Sequence, residues 1–353
     1  MGGFKVTYEY ANRLAAHGHH ATVVHTPRAD RTRFPLTIAK RWVVYAGRPL
    51  NVAALPAKLR GGWRPDSWFR IDPRVRLKWV PSLHPRWVPN SDVVVATYWE
   101  AAEWVNCYPQ SKGRKFYLIQ GQEGLLRGMD PERVANTWRL PLQKIVISRW
   151  LQKLVADVGE SATYIPNGLD FDDFGVDVPP SEREPQRLLM LHHEQPLKGS
   201  RDGLEAMRLT RRQIPQLSGT IFGVPAKPKG LPPWISYQQK PVGRPLRKLY
   251  NEAAIFVAPS WAEGFGLPPA EAMQCGAALC ATDIGGYREY AIHNQTALLS
   301  PPKNPESLAS NITNLVRNNL LRLRLAEQGH EYIQRFTWER AVSALERLFA
   351  DTA

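Results

Sequence analysis

The chain has 353 residues, 43% of them apolar and 22% charged, which suits a two-domain globular protein with two cores of ordinary size. It holds no repeat or low-complexity run, no apolar stretch of about 18 residues and no charged-then-apolar leader, which argues against a membrane span and a secretory signal. The formal net charge is +14, and Cys107, Cys275 and Cys280 are odd in number with neither a zinc-like nor a Cys-x-x-Cys spacing, so they read as reduced, structural thiols of a cytoplasmic protein.

A helix pattern over Val6 to Ala16, closed by His17-Gly18, leads into the β-branched strand Ala21 to His25. From Pro27 to Asn90 the chain is Pro-rich and sets aromatics beside cations: Arg41-Trp42, Trp63-Arg64, Trp68-Phe69-Arg70, Lys78-Trp79 and Arg86-Trp87. Strands follow at Asp92 to Ala96, at Phe116 to Ile119 opening into Gln120-Gly121-Gln122-Glu123-Gly124, and at Lys144 to Ser148 before a helix from Arg149 to Val158. Leu169 to Gln186, rich in Asp, Glu and Pro, reads as a linker. A second set begins with the strand Leu188 to Leu191 and continues through a helix Gly203 to Arg212, a strand Thr220 to Gly223, a helix Arg247 to Ala254 and a strand Ala254 to Ala258. Alternating strands and helices predict two Rossmann-like α/β units with parallel sheets. A last helix runs from Trp338 to Asp351.

The segment after Ala258 is the most telling. Pro259 to Met273 places Glu263 and Glu271 eight residues apart around Gly264-Phe265-Gly266-Leu267, where an apolar strand hands over to good helix formers. Glycines allow close approach to a ligand, and the N–H groups and dipole at the start of the following helix suit a pyrophosphate. Both carboxylates can accept hydroxyl hydrogen bonds at one pocket. Taken alone, such a segment is equally a plain turn.

With Cys275-Gly276 and Asp283-Ile284-Gly285-Gly286-Tyr287-Arg288-Glu289 behind it, the segment closely resembles the donor-site signature of retaining glycosyltransferases of family 4. Ile165-Pro166-Asn167-Gly168-Leu169-Asp170 resembles that family's interdomain hinge and Leu197-Lys198-Gly199 its phosphate-binding lysine, and the likeness runs in order from about Tyr8 to Phe349.

The resemblance implies a GT-B fold of two Rossmann-like domains facing a cleft. It implies an acceptor domain over 1–168, a linker over 169–186, a nucleotide-sugar domain over 187–335 and a terminal helix over 336–353 packing back on the first domain. By the same likeness Glu271 binds the donor ribose, Glu263 binds the sugar hydroxyls, the backbone from Gly264 through Phe265 and Gly266 to Leu267 lines the pocket, and Lys198 neutralises the departing diphosphate. Gly285 and Gly286 shape the next turn facing the donor, and Glu289 caps or pairs rather than reacts. No cofactor is implied beyond the nucleotide sugar as substrate, and no metal is required. Asp170-Phe171-Asp172 follows the hinge and lacks the neighbours of a magnesium shell.

Three departures stand out. His193 occupies the place of the family's arginine five residues before Lys198, a weaker phosphate contact because imidazole is only partly charged near neutrality. Thr97-Tyr98-Trp99-Glu100 offers no histidine for the donor sugar. Gly2-Gly3 resembles the glycine loop between the first strand and first helix, yet no strand precedes it. In a doubly wound sheet that strand is central, so the start is expected to be assigned too late, the other reading being a shortened, impaired homologue.

Charge is uneven. Up to Ile165 there are 25 Lys and Arg against 12 Asp and Glu; beyond it, 21 against 20. The basic, tryptophan-rich first part fits partly buried tryptophans under a solvated basic face, or attachment to an anionic membrane on the inner face of the plasma membrane through a helix over Leu36 to Tyr45. Single-stranded nucleic acid is a weaker fit, since no recognition motif accompanies the charge. The functional expectation is a retaining glycosyltransferase moving a sugar from a nucleotide sugar to a glycan, lipid-linked or other hydroxyl acceptor, in cell-surface polysaccharide or glycolipid synthesis. The rival readings are a non-catalytic relative that binds membrane or nucleic acid, and a nucleotide-sugar epimerase of the same architecture.

Overall fold

A computed structural model describes residues 2–26, 65, 68–126 and 128–351. The expected helix over Leu36 to Tyr45 and the pairs Arg41-Trp42 and Trp63-Arg64 lie outside the described residues.

The first helix, α1, spans Gly2–Ala16 and buries Val6, Tyr10, Ala11 and Ala15 along one face. Two strands, β1 (Thr22–His25) and β2 (Arg76–Trp79), pair in parallel as a small sheet. A separate four-stranded parallel sheet runs in the order β3 (Val93–Ala96), β4 (Arg114–Ile119), β5 (Gln143–Val146), β6 (Ala162–Tyr164). Among the described residues no strand joins these two sheets. Helices α2 (Trp99–Asn106), α3 (Pro131–Trp138) and α4 (Arg149–Asp157) connect β3 to β6.

The second unit is a six-stranded parallel sheet built from β7 (Arg187–Leu191), β8 (Ser218–Gly223), β9 (Ile235–Gln239), β10 (Ile255–Ala258), β11 (Ala278–Thr282) and β12 (Ala297–Ser300). Helices α5 (Ser200–Gln213), α6 (Arg244–Glu252), α7 (Leu267–Gln274), α8 (Pro305–Arg317) and α9 (Asn319–Ile333) lie between and after these strands, and α10 (Trp338–Asp351) closes the described chain. Every residue of β10 and β11 is buried, as expected of central parallel strands covered on both faces.

The strand order is β12-β11-β10-β7-β8-β9. The chain winds outward from β7 in one direction, returns, and winds outward from β10 in the other. The order therefore reverses between the neighbours β7 and β10. The loops leaving their C-terminal ends diverge there and open a crevice, the usual ligand position of an open α/β sheet.

The segment over Leu169 to Gln186 is no loose tether. Leu169 bridges to Thr337, Phe174 is buried, and the Arg183 guanidinium donates to the carbonyls of Val178, Tyr250, Ala253 and Cys275. Burial pulls the Arg183 pKa down to about 10, and these carbonyls supply its partners in place of water. Helix α10 crosses to the first domain, where Trp338 meets Tyr10 edge-on at 5.3 Å, Phe349 meets Phe116 at 4.8 Å, and Glu346 accepts from His17 and His19.

Candidate active site

The crevice at the strand-order reversal holds the residues singled out by sequence. Lys198 stands on a short 3-10 turn in the loop after β7, and Glu263 on the loop after β10. Their side chains meet: Lys198 Nζ lies 2.8 Å and 2.7 Å from the two Glu263 oxygens, and the Ser260 hydroxyl donates to Oε1 at 2.9 Å. Glu263 thus holds the lysine that the resemblance assigns to the diphosphate.

Glu271, one turn into α7, is 5% exposed and accepts from the Tyr250 hydroxyl at 2.9 Å. Its other oxygen takes Lys5 Nζ at 2.8 Å, a residue of α1 in the other domain. Burial lowers the Lys5 pKa, but the charge and hydrogen bond of Glu271, with the charges of Glu9 and Asp170, together outweigh it and leave the pKa raised, so the ammonium stays protonated. Any ribose hydroxyl that binds Glu271 must therefore share with or displace Lys5.

Gly264 and Gly266 owe their identity to space and conformation. A Cβ on Gly264 would lie 1.8 Å from the carbonyl oxygen of Gln120, in the loop after β4. Gly266 has φ +86 and abuts the Tyr287 ring, where a side chain would be both strained and excluded. Phe265 is buried between Tyr290 and Phe336, and Leu267 opens α7. Pro268 and Pro269 occupy the next positions and carry no N–H, so this helix start offers fewer donors than its place in the motif suggests.

Three expectations need correction or refinement. Gly3 does not sit in a loop ahead of α1; it lies inside the helix, where a Cβ would come 3.4 Å from the Gln120 side chain. Gly285 packs against the Trp150 ring of the first domain, whereas Gly286 packs against the Glu263 carbonyl within its own domain, beside the donor-motif turn. Glu289 caps, but across domains: it accepts from the Arg149 N–H at the start of α4 and from the Tyr164 hydroxyl, each at 2.5 Å. The Asp170 carboxylate accepts the N–H groups of Asp172 and Asp173, a local turn. Cys275 and Cys280 are buried, whereas Cys107 is exposed.

His193 keeps its main-chain N–H on the Ser200 hydroxyl, and its Nδ1 accepts from the Gln195 N–H at 2.9 Å. Burial first and the charge of Lys198 second pull its pKa down, so the ring is neutral near pH 7 with Nε2 as the donor. The arginine-like charge is absent at this position.

Sequence reasoning missed the loop after β4. Gln120 touches the Gly264 turn, Gln120 Oε1 and Glu123 Oε2 are buried without a hydrogen-bond partner among the described residues, and burial pushes the Glu123 carboxyl up to about 8. The signal was present as two polar residues directly after a buried strand, at the C-terminal edge where ligands bind. Lys5 was missed too, because nothing in a helical pattern shows that one lysine reaches another domain.

Comparison with known proteins agrees with this geometry. The sequence profile of the family described as glycosyl transferases group 1 matches residues 177–332, the span from the linker through α9. The second domain belongs to the group 1 glycosyltransferases. An uncharacterized glycosyltransferase of Methanocaldococcus jannaschii is 35% identical over 112 residues, covering 30% of this chain and 32% of the relative. The match thus spans about a third of that relative's length. A phosphatidyl-myo-inositol mannosyltransferase of Mycobacterium leprae is 22% identical over 306 residues, covering 79% of each chain. Sucrose-phosphate synthase from Thermosynechococcus elongatus superposes with a TM-score of 0.69 at 17% identity, over 98% of this chain and 92% of that one. At that identity the likeness concerns the fold, a GT-B arrangement of two parallel-sheet domains.

Proposed function

We propose that the chain is a glycosyltransferase that moves a sugar from a nucleotide-diphosphate sugar to an acceptor hydroxyl with its anomeric configuration kept. The observation that carries this reading is the meeting of Lys198, Glu263 and Glu271 around the crevice at the β7/β10 reversal, closed on its far side by the Gln120 loop of the other domain. In the reaction the bond from the sugar C1 to the diphosphate oxygen breaks and a bond from C1 to the acceptor oxygen forms on the same face. The acceptor proton passes to the departing phosphate oxygen. Lys198 stabilises the charge that grows on that oxygen, and Glu263 orients Lys198 before the donor enters and then takes sugar hydroxyls. Glu271 receives the ribose, while the backbone from Gly264 to Leu267, with Phe265 holding it from beneath, lines the diphosphate path. His193 donates from a neutral ring. Lys198 carries most of the charge neutralisation, since Pro268 and Pro269 leave the helix start few N–H donors.

The acceptor enters from the first domain. The Mycobacterium leprae relative is named for a lipid acceptor, and the basic excess before Ile165 suits an anionic surface, so a lipid-linked or nascent glycan acceptor reached from the inner membrane face is the proposed setting. Among the described residues no helix is long and apolar enough to cross a membrane. The relatives matched are named as transferases, which gives the epimerase and non-catalytic readings no support.

A thermal-shift screen against UDP, GDP, ADP and dTDP and their common sugars tests the donor assignment. One nucleotide is expected to stabilise the protein by mass action. A flat response to every nucleotide, from a protein that melts cooperatively, would sink the reading.

A further inference from the structure

A second cleft, of about 490 Å³, lies between the domains on the hinge side and is lined by neither Lys198, Glu263 nor Glu271. Its wall carries four arginines, Arg149, Arg288, Arg335 and Arg340, with Trp150 among the rings between them and Glu289 at the interdomain cap. The two Glu289 oxygens are already engaged by the Arg149 N–H and the Tyr164 hydroxyl. Arg288 is held by Asp283 through two contacts of 2.7 Å and 2.9 Å. Among the described residues Arg335 and Arg340 make no ion pair, while the charge of Arg149 acts on the Glu289 carboxylate in the same cleft. Arg149 lies over the Tyr164 ring at 4.2 Å and Arg335 over the Tyr332 ring at 3.6 Å, while Arg340 donates to the Arg335 carbonyl.

Stacking on a ring fixes a guanidinium without occupying its N–H groups; Arg335 spends its Nε–H on the Tyr332 carbonyl at 3.0 Å and keeps its terminal N–H groups, which match the oxygens of a phosphate. The four arginines outnumber the two carboxylates beside them, Glu289 and the Asp283 that holds Arg288, and an entering dianion balances the excess positive charge. We propose that this hinge cleft is a second ligand site, which takes a phosphate-bearing small molecule or headgroup distinct from the sugar donor. The volume admits a phosphate with a sugar-sized substituent. Residues of both domains and of the chain around Tyr332 to Arg340 contribute, so a bound anion draws them together. The Trp150 ring, which lines the cleft, also donates through Nε1 to the Glu263 carbonyl at 3.0 Å. Occupancy therefore steadies the backbone that carries the donor motif.

Isothermal titration of the full chain with inorganic tripolyphosphate tests the site. Two binding phases are expected, one weakened by Lys198→Ala and competed away by the stabilising nucleotide, the other weakened on the order of ten-fold or more by the double change Arg335→Gln with Arg340→Gln. The lysine pair at the same positions restores part of the second phase. Thermal unfolding is recorded for each variant; if the glutamine pair unfolds, Arg149→Gln replaces it. Titration with vesicles of phosphatidylglycerol and phosphatidylcholine separates the sources: binding lost in the glutamine pair identifies a headgroup, and binding retained there with the tripolyphosphate phase lost identifies a free phosphate compound. The proposal is overturned if Lys198→Ala removes all tripolyphosphate binding or if the glutamine pair binds as the parent does. Because the two phases are read separately, failure of the hinge site leaves the donor assignment standing, and the reverse also holds.

Discussion

Glu271→Gln is the most searching substitution, because the carboxylate serves three partners of different origin. It accepts from Tyr250 within its own domain, from Lys5 across the cleft and, in the proposed complex, from ribose hydroxyls. The amide keeps the shape and leaves Tyr250 an acceptor, so the fold loses mainly the ion pair with Lys5. The lysine side chain is 25% exposed, which limits that loss to about 1 kcal/mol. Nucleotide binding loses charge on the acceptor of two hydroxyl bonds, about 1.5–3 kcal/mol, or roughly 10- to 150-fold in Kd. Lys5→Met supplies the contrast. It breaks the same ion pair but removes a competitor of the ribose, so nucleotide affinity should hold or rise a few-fold while the melting temperature falls by a similar few degrees. Nucleotide Kd by titration, with melting curves of both variants, decides the matter. If the two variants weaken binding in parallel, Glu271 acts only as a domain clasp and the ribose assignment is wrong.

Lys198→Ala should lower kcat by about 10²- to 10³-fold while changing nucleotide Kd far less, since its charge matters most as the diphosphate departs; equal turnover in variant and parent would exclude that role. Glu123 gives a pH signature. Its carboxyl holds its proton up to about 8 when folded, against 4.5 ordinarily, so this group's contribution is fully present below pH 4.5 and declines as pH rises to about 8. Glu123→Gln should flatten the melting temperature over that window, and an unchanged pH slope would show that the carboxyl is not buried as described.

What the sequence determined by itself was local. Buried strands read as apolar β-branched runs, and the turn Glu263 to Leu267 read as a glycine turn between a strand and a helix, which became a ligand loop only through its family resemblance. The spacing of Glu263 and Glu271 was legible in the sequence, whereas Lys198, an ordinary surface lysine by itself, was legible only through the resemblance of the motif series around it. The tertiary structure decided every contact that spans the chain. That Lys198 grips Glu263 depends on β7 lying beside β10, a neighbour relation that no periodicity encodes. That Lys5 occupies Glu271, that Gln120 closes over Gly264, and that Glu289 caps a helix of the other domain follow from how two independently patterned sheets meet. The arginines of the hinge cleft are scattered from 149 to 340, and each alone is an ordinary surface cation. Their joint chemistry exists only because folding brings like charges together, and the force that overcomes their repulsion is the apolar packing of the cores, which the sequence records only as a pattern of strands and helices.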